Sequence, residues 1–459
     1  MATAKAEIAP LSQPTTETAA NGASYLTNLA TVLGTQAGCV AMSLALEVVY
    51  ARLLGPAGRG TISLSMMAIT AGVVFGGVGG EIPITIWSAD RKKNFSDWLP
   101  AVAFWGVLGA ITSVSVWAAI YWLWQPAFLK GVTPRLAILV LLSIPANILY
   151  GYVLAMVTGR ERFGGRAGIL LLNQAVAFVM VFMITGLFFR DPRMALIANL
   201  AGLLVGGILA VYLLRKQIGE GWNLDAAKDS LVPALKLGVW GQFGNLATFF
   251  NYRLDIFIVN YFLNPSQVGL YAVGVLVSES LWQVPQAAAV TLLPRTARTL
   301  GEENSSFTCG VSRQVFALSC ATGIAMALLC PWLVPLIFGA RFSPSVAVIW
   351  WILPGTIAFA SGKVMAADLA ARGKPKYGSM FSFVALGVTV ALDLALIPRM
   401  GINGAALASS VAYLADTLLL AAALKYELKV TWKSLFIPSA VDFELYSRAW
   451  RRLRAFATA

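Results

Sequence analysis

The sequence contains no histidine and little charge. Only 12% of its 459 residues are Asp, Glu, Lys or Arg. Without histidine the chain cannot build a histidine metal site, use a histidine general base or form a Ser-His-Asp triad. A soluble domain carries about twice this share of charged residues. The scarcity of charge therefore excludes a soluble globular protein.

Cysteine and nucleotide-binding signatures are also scarce. The four cysteines, at positions 39, 309, 320 and 330, form no CxxC pair. They lie at or in apolar runs, where inert burial is expected. No GxxxxGK[ST] sequence is present, so we expect no ATP hydrolysis by this chain. The sequence predicts no catalytic residue, no metal site and no cofactor beyond coupling to H⁺ or Na⁺.

Long apolar runs fill the rest of the chain. A helix needs roughly 20 residues to cross about 30 Å of hydrocarbon, and runs of this length recur from end to end. Helices are expected because an open strand in lipid leaves backbone groups without hydrogen bonds. The predicted spans are 24–53, 61–87, 98–124, 136–157, 167–189, 194–214, 234–262, 267–293, 314–338, 345–370, 377–397 and 402–424. The chain is thus predicted to be an all-α, polytopic membrane protein with about twelve transmembrane helices.

The distribution of cations predicts the orientation of these spans. If the N-terminus is cytoplasmic, most of the 34 Lys and Arg residues fall in cytoplasmic segments. Arg52 and Arg59 are then assigned to the first outer turn. By the positive-inside rule both termini are cytoplasmic, and the membrane is the cytoplasmic (inner) one. This topology and anionic lipid account for the net charge of +13, so no nucleic-acid partner is expected.

Short motifs repeat between the two halves of the chain. Leu54, Pro56 and Gly60 in LLGPAGRGT match Leu263, Pro265 and Gly269 in FLNPSQVGL, at a constant offset of 209. Three further pairs follow in the same order: IPANI with LPGTI, GRERF with GKPKY, and PRM at 192–194 with PRM at 398–400. Because six helices separate the copies, the repeats should run parallel about an axis along the membrane normal.

The repeats predict two pseudo-symmetric six-helix lobes around a central cavity. The predicted regions are a cytoplasmic N-terminal tail (1–23), an N-lobe (24–214), a cytoplasmic interlobe linker (215–233), a C-lobe (234–424) and a basic, amphipathic C-terminal tail (425–459).

Three stretches resemble the polysaccharide-export flippases of the multidrug, oligosaccharidyl-lipid and polysaccharide (MOP) exporter superfamily. They are LEVVYARLLGPAGRGTISLSMM, NYRLDIFIVNYFLNPSQVGLYAVGVLVSESLWQVPQAAAVTLLPRTAR and IPRMGINGAALASSVAYL. The resemblance implies two helical bundles that rock about a cleft and expose a lipid-linked oligosaccharide to each side in turn. It implies membrane lipids and that oligosaccharide as partners, with polysaccharide polymerase and export machinery as candidates. Relatives specialised for the peptidoglycan precursor typically add two C-terminal helices, and the short, basic segment after Lys425 is not expected to form them.

Polar side chains on two matching helices are candidates to line the cavity. In the first span they are Gln36, Ser43 and Glu47, within one arc of a helix. A polar stripe on an apolar helix should face the bundle interior or a wet cleft. The alternative is hydrogen bonding that only holds helices together. The seventh span carries a similar stripe of Asn245, Thr248, Tyr252 and Asp255.

Two cations lie deep in predicted spans, Arg253 and Lys363. Either can bind a diphosphate, arginine through its planar fork and lysine as a point charge. Alternatively each neutralises a nearby acid, and Glu279 is the expected mate of Arg253. Buried acids are the candidates for cation coupling, and they are Glu47, Glu81, Asp255 and Glu279.

Three functions remain open from the sequence. The favoured one is a flippase that moves a lipid-diphosphate-linked oligosaccharide repeat unit to the outer leaflet for surface polysaccharide synthesis. A cation-coupled small-molecule exporter on the same fold is the alternative, supported by the buried carboxylates. A membrane enzyme that transfers or polymerises sugars is disfavoured, because the predicted outer loops are short and LGPAGRG contains no acid.

Overall fold

A computed structural model describes residues 16–90, 94–185, 190–218, 222–283, 285 and 302–438. These residues form helices and contain no β-strand. Within them, nine helices are long and apolar enough to cross a membrane. The prediction of an all-α, polytopic membrane protein is therefore confirmed. The last third of the predicted eighth span and most of the C-terminal tail lie outside the described residues.

The N-terminal half contains six helices and a short π-helical turn. They are α1 (Thr16–Gly76), α2 (Glu81–Ala89), α3 (Phe95–Phe128), α4 (Pro134–Gly159), α5 (Phe163–Met180), the turn Val181–Thr185 and α6 (Pro192–Ile218). The interlobe connection is largely helical, because the next helix begins at Leu224, within the predicted linker.

The C-terminal half begins with a long helix and ends with a short one. They are α7 (Leu224–Phe262), α8 (Pro265–Glu279) with the 3-10 turn Ser280–Trp282, α9 (Glu302–Phe338), α10 (Ser345–Ala371), α11 (Lys376–Met400), α12 (Ile402–Leu428) and α13 (Trp432–Phe436).

The first predicted span and most of the second lie in one helix that bends sharply, and the rest of the second span follows a turn at 77–80 as α2. Gly55 inside α1 has φ 65° and ψ −174°, a conformation outside the helical region. Glycine adopts positive φ without the clash that a Cβ atom causes. Pro56 follows directly, and proline is favoured at the first position of a helix. The predicted outer turn is therefore a kink of a single residue, and Arg59 lies in the helix beyond it.

The helices pack mainly within their own half of the sequence. In the N-terminal half α4 and α5 pack against α6, and in the C-terminal half α10 and α11 pack against α12. The two halves meet where α1 contacts α8 and where α3 contacts α7. One buried cluster, which includes Trp98 and Ile144, belongs almost wholly to the first half.

The repeated proline-glycine motifs contact each other at the predicted outer end. A Cβ atom on Gly60 would overlap the carbonyl oxygen of Pro265, and one on Gly269 would overlap the carbonyl oxygen of Pro56. The two contacts are equivalent under exchange of the repeats. The matched motifs of the two halves thus form a symmetric backbone contact, as expected for a pseudo-twofold relation between the repeats.

Polar contacts reinforce this outer end. Arg52 donates a 2.8 Å hydrogen bond to the carbonyl oxygen of Ile337, near the end of α9. Lys130 donates a 2.5 Å bond to the carbonyl oxygen of Tyr261, at the end of α7. Cations at helix C-termini satisfy free carbonyl groups and interact favourably with the helix dipole. The outer ends of the two halves are closed against each other.

A second backbone contact lies at the predicted cytoplasmic end. A Cβ atom on Gly79 would overlap Gly238, and one on Gly238 would overlap the carbonyl oxygen of Val78. Nearby, the Trp105 indole donates a 2.9 Å hydrogen bond to the carbonyl oxygen of Leu231. These contacts join the first half to α7, so the halves also approach closely at this end.

Candidate functional site

A cavity of about 290 Å³ lies between the two halves. Along the helices it falls between the Gly60–Gly269 contact and the Gly79–Gly238 contact. Helices α1, α5 and α6 line it from the first half, and α7 and α8 line it from the second. Its charged residues are Glu47, Arg59, Arg253 and Glu279. The formal charges of these four side chains balance.

An ion pair from the first half lines this cavity. Arg59 lies 2.5 Å from Glu47, and their side chains are 7% and 25% exposed. Arg59 also donates a hydrogen bond to the Ser63 hydroxyl, one helical turn further on. The kink at Gly55 folds α1 back on itself, which brings Glu47 and Arg59 together although twelve positions separate them. The assignment of Arg59 to an outer turn is therefore wrong, because the helix resumes directly after the kink.

Neutral polar side chains of the first half also line the cavity. The Gln174 side-chain amide on α5 donates a 3.0 Å hydrogen bond to the Ser43 hydroxyl on α1. Asn199 on α6 also lines the cavity. Amide and hydroxyl groups can exchange hydrogen bonds with sugar hydroxyls, because each group both donates and accepts. This wall can therefore bind a hydroxyl-rich ligand.

An ion pair from the second half lies across the cavity. Arg253 on α7 donates hydrogen bonds of 3.1 and 2.9 Å to the two carboxylate oxygens of Glu279 on α8. The Arg253 side chain is 32% exposed and that of Glu279 is 14% exposed. This two-point geometry is the strongest arrangement of an arginine and a carboxylate. The structure confirms Glu279 as the mate of Arg253.

Lys363 lies beside this wall but does not line the cavity. Its ammonium nitrogen is 4.3 Å from the Trp282 ring centre and 5.1 Å from those of Tyr252 and Phe359. It also donates a 3.4 Å hydrogen bond to the Tyr252 hydroxyl. An ammonium group is attracted to the negative faces of aromatic rings. Neither Lys363 nor Tyr252 lines the cavity in this conformation.

Two aspartates, Asp255 and Asp393, are buried within the second half. The Tyr271 hydroxyl donates a 2.5 Å hydrogen bond to Asp255 and lies 3.2 Å from the Ser409 hydroxyl. Asp393 on α11 is fully buried, and neither of its carboxylate oxygens has a hydrogen-bond partner in the described residues. Burying an ionised carboxylate without a partner is costly. No described residue neutralises Asp393, so its buried carboxylate favours the uptake of a proton or another cation.

The remaining predicted residues lie apart from the cavity or cannot be placed. Gln36 is exposed on α1, and Glu81 is exposed at the start of α2. Neither belongs to the cavity wall. Asn245 and Thr248 lie in α7, and the structure does not describe their side chains. Of the predicted residues, Ser43, Glu47, Arg253 and Glu279 come together at the cavity.

The polar cavity residues that the sequence analysis did not predict include Arg59, Gln174 and Asn199. A helix beginning at Pro56 would have placed Arg59 one turn inside it, since proline is favoured at the first helical position. Gln174 and Asn199 are isolated amides in the apolar helices α5 and α6. Polar residues in such helices often face a cavity, and this signal could have identified both.

The fold and the interlobe cavity define a multi-pass membrane protein with the MOP transporter architecture. Within that class, the chain belongs to the family described as "Polysaccharide biosynthesis protein", whose pattern matches residues 49–347. The resemblance identified from the sequence is thereby confirmed. None of the curated proteins matches the chain.

Solved structures of MOP superfamily members share this fold. The lipid II flippase MurJ in an inward closed conformation gives a TM-score of 0.72 at 12% identity, with 89% of each chain covered. An inward-facing multidrug resistance MATE family transporter gives 0.63 at 13% identity, covering 84% of this chain and 94% of that one. A MOP superfamily transporter from Pyrococcus furiosus gives 0.57 at 16% identity, covering 88% and 97%. At such identities the likeness establishes the fold alone.

Proposed function

We propose that this chain moves a lipid-diphosphate-linked oligosaccharide repeat unit from the inner to the outer leaflet of the cytoplasmic membrane. The transported unit would serve surface polysaccharide synthesis. The activity changes no covalent bond, so the chain would act as a translocase and not as an enzyme. Both termini would lie in the cytoplasm, where the positive-inside rule places them.

The observation that carries the proposal is the pair of arginines in one cavity, each from a different half. Arg59 and Arg253 both line the space between the halves. Guanidinium groups bind phosphate oxygens through paired, charge-assisted hydrogen bonds. The amides of Gln174 and Asn199 offer partners for sugar hydroxyls on the same wall. The lipid tail would remain in the bilayer while the diphosphate and glycan occupy the cavity.

The cavity must widen to accept this substrate. Its volume of about 290 Å³ is at the lower end of small-molecule sites, and an oligosaccharide needs more room. Close backbone contacts join the halves at each end, at Gly60–Gly269 and Gly79–Gly238. Separation at one end while the other remains closed would expose the cavity to each side in turn. This is alternating access.

A cation gradient is the proposed driving force. Asp255 and Asp393 are buried in the second half, and Asp393 has no hydrogen-bond partner in the described residues. A proton or Na⁺ would neutralise such a group. Uptake on one side and release on the other would make the two conformations depend on the gradient. Glu81 remains a weaker coupling candidate because it is exposed and lies apart from the cavity.

The alternative is an exporter of small organic cations that uses the same cavity. Glu47 and Glu279 are the observation that favours it, because a carboxylate in an apolar cavity attracts a cation. Each of these carboxylates is paired with an arginine, however. A cationic drug and an anionic substrate would each have to displace one partner of such a pair, so the anionic lipid-linked substrate is preferred because the family match is to polysaccharide biosynthesis proteins.

Translocation by the purified chain in liposomes tests the proposal. A fluorescent prenyl-diphosphate-linked oligosaccharide is placed in both leaflets, and a membrane-impermeant quencher reports the fraction at the outer surface. We expect the intact chain to accelerate exchange between leaflets. Arg253→Ala should reduce the rate about tenfold or more, the scale of one lost charge-assisted interaction.

Arg399→Ala is the matched control, because Arg399 is exposed near the predicted outer end of α11 and lies apart from the cavity. It should transport like the unchanged chain. Equal rates for Arg253→Ala and the unchanged chain would remove Arg253 from the site. Transport of a cationic dye without any transport of the lipid-linked glycan would favour the alternative function.

A further inference from the structure

We propose that Glu47 and Glu279 are tethered competitors of the substrate anion. In the empty cavity, Glu47 forms an ion pair with Arg59 and Glu279 forms one with Arg253. This competition makes the site selective for a diphosphate over singly charged anions. Each glutamate takes up a proton when the substrate displaces it. This inference rests on the proposed function and names how its site selects and couples. It explains why a cavity that should bind an anion contains as many acids as bases.

The first pair has the geometry of a displaceable contact. Arg59 is the more deeply buried partner at 7% exposure, whereas Glu47 is 25% exposed. The buried Arg59 Nε has no hydrogen-bond partner in the described part of the chain. A carboxylate that is more exposed than its arginine can move aside without carrying the cation with it. Arg59 therefore offers an incoming phosphate both an unused donor and the donor that Glu47 vacates.

The second pair joins two different helices. Both oxygens of Glu279 on α8 accept from Arg253 on α7. Arg253 is the more exposed partner here, at 32% against 14% for Glu279. Its guanidinium can therefore reach a ligand by turning away from α8. In both pairs, the arginine lines the same cavity and its carboxylate occupies the place that a phosphate would take.

The charge of the ligand decides whether the exchange is favourable. A singly charged anion replaces only one carboxylate, so it exchanges one ion pair for another with little gain. A diphosphate can replace both carboxylates and bridge the two halves, because it carries two anionic centres. Its remaining cost is repulsion between the phosphates and the two released carboxylates. Protonation of each glutamate from solution removes that repulsion.

Among the described residues, Lys363 is the other cation near the released carboxylates. Besides its arginine, the titratable neighbour of Glu47 is Tyr50. Around Glu279 the titratable and charged neighbours are Arg253, Lys363, Asp255, Tyr252 and Tyr413. Lys363 is held among aromatic rings outside the cavity wall. Neutralisation by a proton is therefore the available route for both glutamates.

Calorimetry of the detergent-solubilised full chain tests the inference. The methyl esters of geranyl diphosphate and geranyl monophosphate, which carry two negative charges and one, are titrated near neutral pH in two buffers with different ionisation enthalpies, which yields the number of protons bound. We expect the diphosphate to bind with uptake of one proton per displaced glutamate. The monophosphate should bind at least about tenfold more weakly, the scale of one lost charge-assisted contact.

Variants assign the protons to residues. Glu47→Gln and Glu279→Gln should each remove one proton from the uptake and tighten diphosphate binding about tenfold, because a neutral amide competes less well for arginine. Asp225→Asn is the matched control, since Asp225 is 91% exposed and pairs with Lys228 away from the cavity. It should change neither value. Using two independent glutamate variants keeps the test decisive if one of them folds poorly.

The outcomes separate this inference from the proposed function. Diphosphate binding without proton uptake, and without tightening in the glutamine variants, would overturn the competitor role and leave the flippase proposal intact. Equal affinity for monophosphate and diphosphate would overturn the selectivity. Failure of the unchanged chain to bind any prenyl diphosphate would contradict the proposed function itself.

Discussion

At the scale of single residues, the cavity holds charges that depend on each other. Arg59 is almost fully buried against Glu47, and Arg253 donates a hydrogen bond to each carboxylate oxygen of Glu279. Removing one member of such a pair leaves the other charge poorly hydrated and unpaired. The cost falls below that of a fully buried pair because Glu47 is 25% exposed, and about 1–3 kcal/mol is expected. The effect of an ion pair on stability can therefore be distinguished from its effect on transport by replacing one residue of the pair in one variant and both residues in another.

The Arg59–Glu47 pair yields the residue-scale prediction. Arg59→Met should lower the free energy of unfolding by about 1–3 kcal/mol, because Glu47 then lacks its cation. The double variant Glu47→Gln, Arg59→Met removes both charges and should recover most of that stability. Transport should remain impaired in both variants, because neither can bind phosphate at this position. Unfolding in detergent and translocation in liposomes measure the two effects.

Arg399→Met controls for the loss of an arginine at an exposed position and should leave both measurements unchanged. Full transport by the double variant would show that Arg59 has only a structural role. A double variant as unstable as Arg59→Met would instead show that the ion pair is not the origin of the loss.

At the scale of elements, glycines set how closely the two halves approach. Gly60 and Gly269 occupy equivalent positions in the repeated motif, and each lies against the proline carbonyl of the other half. Only a residue without Cβ permits this approach. Gly55 has a different task, since its positive φ turns α1 back on itself. One motif thus supplies both the bend and the contact surface in the first half.

Gly269→Ala should separate the outer ends and favour a conformation open to the outside. The added methyl group would overlap the Pro56 carbonyl oxygen, and backbone cannot yield as a flexible side chain can. The readout is the labelling rate of Met67→Cys, a cavity position, by a membrane-impermeant thiol reagent from the outer side. The four native cysteines are replaced by alanine. We expect labelling to accelerate several-fold, because each kcal/mol of shift changes a population about fivefold.

Gly387→Ala in α11 is the matched control, because a Cβ atom there meets nothing within 4 Å. Its labelling rate should equal that of the parent. If Gly269→Ala also left the rate unchanged, the Gly60–Gly269 contact would not hold the outer end closed.

Some features of these elements could be predicted from the sequence, and others depend on packing that the sequence does not reveal. The repeated motif and its period are visible in the sequence, because glycine and proline mark backbone geometry directly. The single-residue kink is not visible in the sequence, because LLGPAGRG is equally compatible with a loop. Because this stretch was assigned to an outer turn, Arg59 was not predicted to line the cavity. Arg253 and Glu279 were paired correctly, because few other charges lie at their depth. Lys363 was expected in the cavity, but the aromatic side chains that enclose it come from three separate helical segments whose packing the sequence does not reveal.

At the scale of the whole molecule, two halves enclose a polar cavity and touch at both of its ends. The contacts at Gly60–Gly269 and Gly79–Gly238 lie on either side of the charged pairs. Both contacts cannot remain closed if an oligosaccharide is to enter and leave. Transport therefore requires opposite movements at the two ends, and substrate binding in the cavity shifts the equilibrium between the two conformations.

Distances between spin labels at both ends test this claim most directly. One pair, Arg135→Cys with Arg399→Cys, reports on the predicted outer end, and another, Gly164→Cys with Lys376→Cys, reports on the cytoplasmic end. All four positions are exposed. The chain is reconstituted in lipid and measured with and without a prenyl-diphosphate-linked oligosaccharide. The account predicts that substrate lengthens one distance while the other shortens or stays short. Distances that do not respond, or that lengthen together at both ends, would contradict it.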